Sequence, residues 1–176
     1  MADAAAILPF PRGKTYFQGQ TPDAEAGADL EGRLFTFVSP EYPGRELTLR
    51  VVRYTGSSAL TVARKICAFA SGALGTKSDG YISADGQVGK PIDDAYPVGM
   101  TIQPNDLFYV VEAGPCVVGK LTGSGMTIAD GALVYGDSTG VIDPAASSGH
   151  AIGRALGAAG ATASTVLVDV QATFRA

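Results

Sequence analysis

The sequence predicts a mainly β protein: a compact antiparallel domain, barrel- or sandwich-like, with an extended N-terminal arm and little helix. Three observations carry this expectation. The apolar runs are short and bounded by Gly, Asp and Ser, the pattern of strands joined by turns. Gly (23) and Pro (10) interrupt the 176 residues too often for long helices. No segment sustains a helical stripe of apolar side chains.

Residues 1–32 read as the arm. Pro9, Pro11 and Pro22, with Gly13, Gly19, Gly27 and Gly32, rule out a long helix or central strand there. Ile7, Leu8, Phe10, Tyr16 and Phe17 are nevertheless too many apolar groups for a solvated linker. Ordering such a segment costs roughly 1–2 kcal/mol per residue of backbone entropy, so something must hold it. These five residues are therefore the candidate contacts with another subunit, a neighbouring chain being favoured over the arm's own domain.

A β-rich domain is expected over residues 33–176. Leu34, Thr36 and Val38 alternate with Phe35 and Phe37, a first strand over 33–38, closed by the breaker Ser39-Pro40-Glu41-Tyr42-Pro43-Gly44. Residues 46–54 place Leu47, Leu49 and Val51 on one face of a half-buried strand. Residues 59–70 are compatible with a short helix or a strand. Strand is favoured over 65–70, because Val62, Ile66, Cys67 and Phe69 form no clean helical stripe.

Further on, residues 80–83 and 87–89 flank Ala84-Asp85-Gly86, an Asp-Gly hairpin signal. Residues 91–100 read as irregular. The strongest apolar run is 106–118, where Gly114-Pro115 demands a bulge or a break into two strands. The domain thus divides into a first part, 33–120, and a C-terminal β-module, 121–176. In the module the runs 132–135, 151–156 and 165–170 are separated by Gly136-Asp137-Ser138-Thr139-Gly140 and by small-residue loops.

Composition narrows the function. Charged residues make up 17% of the chain and the net charge is −4. The longest basic cluster is the pair Arg64-Lys65, so no nucleic-acid footprint is expected. Asp3 stands where a signal peptide carries bases, and no apolar run reaches membrane-spanning length. Cys67 and Cys116 lie in apolar runs and read as buried, reduced thiols. A low-charge surface of small residues suits burial against other subunits.

The inventory for chemistry is nearly empty, and no catalytic, metal or cofactor residue is assigned. His150 is the sole histidine and reads as a turn residue; Ser147 and Ser148 beside it form no Gly-x-Ser-x-Gly elbow. Gly153-Arg154-Ala155-Leu156-Gly157-Ala158-Ala159-Gly160 has neither phosphate-loop spacing. Asp93-Asp94 could begin a carboxylate cation site, but no DxDxDG loop accompanies it. Asp79, Asp85, Asp130 and Asp137 lie next to or near glycines and are explained by turns. The cysteines have no CxxC partner, which argues against zinc.

Residues 128–170 resemble the capsid decoration (cement) proteins of tailed bacteriophages. The resemblance rests on Ala129-Asp130-Gly131-Ala132-Leu133-Val134-Tyr135, Gly140-Val141-Ile142, Ala151-Ile152-Gly153-Arg154-Ala155-Leu156 and Thr165-Val166-Leu167-Val168. A second stretch is similar to one upstream in some phage-head proteins: Leu49-Arg50-Val51-Val52-Arg53-Tyr54-Thr55-Gly56, Pro91-Ile92-Asp93-Asp94-Ala95-Tyr96 and Asn105-Asp106-Leu107-Phe108-Tyr109-Val110-Val111 with Gly114-Pro115. The arm lies outside it. The resemblance implies a non-enzymatic virion protein on the outer capsid surface, assembled in the host cytoplasm and binding the major capsid protein. It implies a homo-oligomer, with a trimer favoured, and needs no nucleic acid, membrane or cofactor. Two other readings stay open: another virion component (minor capsid, head-fibre base or tail protein), and a small carbohydrate-binding β-module. The lack of Trp disfavours the latter.

Overall fold

The computed structural model of the chain describes residues 8–17, 27–73, 75–84, 87–146 and 150–171. Among these residues every regular element is a strand and none is a helix, so the fold is mainly β. The strands are β1 (Leu34–Val38), β2 (Glu46–Tyr54), β3 (Leu60–Thr61), β4 (Ile66–Ala68), β5 (Lys77–Ser78) and β6 (Gly80–Tyr81). They continue as β7 (Gly89–Pro91), β8 (Thr101–Ile102), β9 (Leu107–Gly119), β10 (Leu133–Gly136), β11 (Ile142–Asp143), β12 (Ala151–Ala155) and β13 (Thr165–Val170).

The large sheet runs β1-β2-β9-β13-β12-β10-β11, with β5 added in parallel to the end of β2. All other pairings along this path are antiparallel. Among the described residues its end strands β1 and β11 do not pair, so the sheet does not close into a barrel. Two small sheets, β3-β8 and β6-β4-β7, complete the fold. The second lies against the C-terminal module: Ile66 and Ile82 of the one and Ile152 of the other converge on the space beside Gly136.

β9 is the spine. Its first half pairs with β2, from Leu107 opposite Arg53 to Ala113 opposite Thr48. Its second half pairs with β13, from Gly114 opposite Val170 to Gly119 opposite Thr165. Glu112 is the extra residue where the β2 register slips, a bulge that increases the local twist. Gly114 follows with φ +103°, and a Cβ there would stand 2.3 Å from the Glu46 carbonyl oxygen. Only glycine allows the two backbones to approach so closely. At the expected interruption, Gly114-Pro115, the strand changes partner and continues, and the bulge lies just before it at Glu112.

One expectation is corrected. Residues 80–83 and 87–89 do not pair as a hairpin: β6 and β7 sit on opposite sides of β4. β4 is wholly buried and takes the place between them, with Gly89 so close that a Cβ would stand 2.1 Å from the Cys67 carbonyl oxygen. Asp85 and Gly86, which carried the hairpin signal, lie outside the described residues.

Candidate interaction surface

The N-terminal segment 8–17 is built into its own domain rather than laid on a neighbour. Pro9 and Pro11 keep it extended, and Lys14 N–H closes a turn on the Pro11 carbonyl at 3.3 Å. Gly13, at φ +74°, passes so close to the Ala95 carbonyl that a Cβ would be 2.6 Å from its oxygen. This brings Phe10 onto Tyr109, with ring centroids 4.2 Å apart and planes 16° from parallel. The Phe10 N–H donates to the Tyr109 hydroxyl (3.3 Å), which in turn donates to the Phe10 carbonyl (2.8 Å). Tyr96 donates its hydroxyl to the Lys14 carbonyl and accepts Tyr109 N–H. Tyr16 ends the segment as a ladder partner of Leu107, with bonds of 2.9 and 3.3 Å.

Arg12 locks the segment from the other side. Its guanidinium donates twice to the buried Asp93 carboxylate, at 2.9 and 2.5 Å, and once to Glu41 at 2.6 Å. A planar fork meeting a carboxylate in this way is the strong form of an ion pair. Burial alone would depress the guanidinium, but Asp93 and Glu41 outweigh it and hold Arg12 above its usual value. Burial likewise acts to lift the Glu41 carboxyl, and the bond and charge of Arg12 overcome it and keep it below its usual range. Asp94 accepts the Val117 N–H at 2.8 Å and the Tyr42 hydroxyl at 3.2 Å. Asp93 and Asp94 therefore serve an internal clamp. No group of three or more His, Cys, Asp or Glu able to hold a metal occurs among the described residues.

The other chemistry-bearing residues are equally committed. Cys67 is buried, and burial pushes its thiol up to about 12. Cys116 is raised well above the usual thiol value by burial first and by Asp94 and Asp93 second. Asp137 accepts Thr139 N–H and Oγ1, an Asx turn, and Asp130 accepts the Gly157 N–H at 2.8 Å. His150 is half-buried, and its Nε2 finds no hydrogen-bond partner among the described residues. Ser147 and Ser148 lie outside the described residues.

Of the five candidate contacts, Ile7 lies outside the described residues. Leu8 and Phe17 pack partly buried against the core, and Phe10 is inside it at 5% exposure. Tyr16, at 38%, remains outward, tilted against Phe17 with centroids 4.2 Å apart. The apolar side chains that do face outward include Leu34 and Val38 on β1, Val98 in a turn and Leu133 on β10. Leu34 and Val38 were visible in the β1 alternation, but which face would be covered was not. The Arg12 clamp had no sequence signal, since its partners lie 29 and 81 residues away. Compared with known proteins, the chain matches no family model, no curated protein and no solved structure.

Proposed function

We propose that this chain is a structural, non-enzymatic phage-head protein that binds the outer capsid surface and braces contacts between major capsid subunits. The observation that carries the reading is the resemblance of residues 128–170 to the decoration proteins, quoted motif by motif above. Those motifs coincide with β10, β12 and β13, a contiguous antiparallel run anchored on β9. A trimer is the assembly the resemblance implies. The mild negative charge of the chain suits an exterior position, where no contact with DNA is needed.

Mechanically, such a peg resists internal genome pressure. A rigid β-domain touching several subunits adds contacts that must break together, so modest patches gain strength from effective concentration. Interfaces of roughly 1,200–2,000 Å² in total are the size that holds stably. Tyr16, Val88, Val98 and Leu133 are among the outward apolar groups available for them.

The test is to add the purified protein to expanded heads that lack it and to locate it by cryo-EM. Regular density on the outer surface, bridging capsid subunits, is expected; absence of bound protein, or density at the tail or inside the head, would refute the reading. Deleting residues 1–30 is a poor probe of the arm, because it removes Phe10 and Arg12 from the fold. Substituting Tyr16→Ala, whose side chain faces outward, tests the segment's contribution to occupancy while Phe10 and Arg12 stay in place.

A further inference from the structure

We propose that β1 is a homodimerisation edge, along which two copies of the chain pair antiparallel about a two-fold axis at Thr36. The argument begins with which way the backbone groups point. At the ends of β1, the Arg33 carbonyl accepts Val51 N–H (3.0 Å), and Ser39 N–H donates to the Arg45 carbonyl (2.8 Å). Antiparallel ladders bond alternate residues, so 33, 35, 37 and 39 face β2. Leu34, Thr36 and Val38 turn their N–H and C=O groups to the opposite side, where no strand pairs with them among the described residues.

The same three residues are the exposed ones. Leu34 is 52% and Val38 48% exposed, while Phe37 is buried. Between them, Thr36 Oγ1 lies 2.9 Å from Thr48 Oγ1. Edges left free in water are normally blunted by Lys, Pro or a bulge. The strand Leu-Phe-Thr-Phe-Val has none of these, and its register with β2 runs without a slip. The far edge of the sheet is guarded: Lys120 bridges Ile142 of β11, and Leu121 N–H donates to the Ile142 carbonyl at 3.0 Å. With one edge of this sheet unpaired among the described residues and the other covered, head-to-tail addition has no second site on the sheet, and the closed solution is self-pairing.

A second copy fits this edge in one register. With Thr36 facing Thr36 of the second copy, Leu34 faces Val38 and Val38 faces Leu34. All three facing pairs then fall on outward-pointing backbone groups, and each exchanges two N–H···O=C bonds. The next strand in keeps the charges complementary. Arg50, itself paired with Glu112 at 2.9 Å, stands behind Leu34 and Glu46 behind Val38, so no apolar pair is flanked by like charges. The pairing is a property of the purified chain, argued from the β1 edge and not from the capsid reading, whose implied trimer is one of the outcomes the experiment separates from it.

The experiment is sedimentation equilibrium with site-directed cross-linking on the full chain. A dimer is expected, and Thr36→Pro should raise its dissociation constant about tenfold or more, since it removes both bonds of the central pair. Proline at 36 costs no backbone bond to β2, only the exposed Thr36–Thr48 hydroxyl contact, and Phe35 before it is already extended. Thr36→Cys protein should oxidise to a covalent dimer, facing Cα atoms being about 5.5 Å apart. An equimolar mixture of Leu34→Cys and Val38→Cys proteins should cross-link, and Leu34→Cys alone should not. Cys67 and Cys116 are buried and do not compete. A monomer at all concentrations overturns the proposal, as does a trimer or other assembly unaffected by Thr36→Pro. So does a Thr36 amide shielded from hydrogen exchange in a monomer and released by deleting residues 18–26, which would make that segment the occupant. Should Thr36→Pro fail to fold, the cross-linking pattern alone decides.

Discussion

Phe10 and His150 show how single residues carry burial and charge here. Phe10 stacks its ring on Tyr109, while its backbone N–H and C=O both bond the Tyr109 hydroxyl, so truncation empties a core site and leaves those two bonds in place. Phe10→Ala should cost about 3–5 kcal/mol in urea unfolding. Tyr109→Phe, which keeps the ring, should cost only about 1 kcal/mol. Were the segment loosely held, both changes would be near neutral. His150 is held below its ordinary 6.5 by burial first and by the charge of Lys90 second. A base depressed in the fold protonates earlier in the unfolded chain. Its stabilising contribution is therefore complete above pH 6.5 and is lost as pH falls through the lower folded value. As the only histidine, it predicts a stability slope just below pH 6.5 that His150→Gln flattens. A slope that survives the substitution would place the titration elsewhere.

At the scale of elements, β9 owes its two partners to one glycine. An alanine at 114 adds a Cβ 2.3 Å from a carbonyl oxygen at a positive φ, with no flexible side chain to yield. Gly114→Ala should lower stability by about 2–4 kcal/mol, read from the denaturation midpoint. Gly131→Ala, also at positive φ but in open space, is the control and should cost less. The break signalled by Gly114-Pro115 was legible in the sequence; that it moves β9 from β2 to β13 was not, because partner choice is a long-range property. β1, β2, β10, β12 and β13 were legible because their alternation or their bounded apolar runs span four residues or more. β3, β5 and β8 hold two residues each and are too short for any period to show. The β6–β7 hairpin failed for another reason: neighbours in sequence were separated in space by β4, a buried strand from earlier in the chain. The Arg12 clamp was invisible for the same long-range cause, and Asp93-Asp94 looked instead like a possible cation site.

For the whole molecule, β9 joins what the sequence divided. Residues 33–120 and 121–176 meet along it, β2 on its first half and β13 on its second. The segment 8–17 bonds to the same strand at Leu107 and Tyr109. Core residues from all three parts form one continuous cluster. If β9 melts, each part loses a sheet partner and its buried face at once, so no part retains a core of its own. The chain should therefore unfold in a single calorimetric transition, its calorimetric enthalpy equal to the van't Hoff value. Arg12→Ala sharpens the test, because it strips the buried Asp93 carboxyl of its ion-pair partner, at about 3–5 kcal/mol. That loss should lower the midpoint of the whole transition without splitting it. A separate low-temperature peak in the variant would mean that the N-terminal segment is a detachable arm, and that the cooperative unit is smaller than the chain.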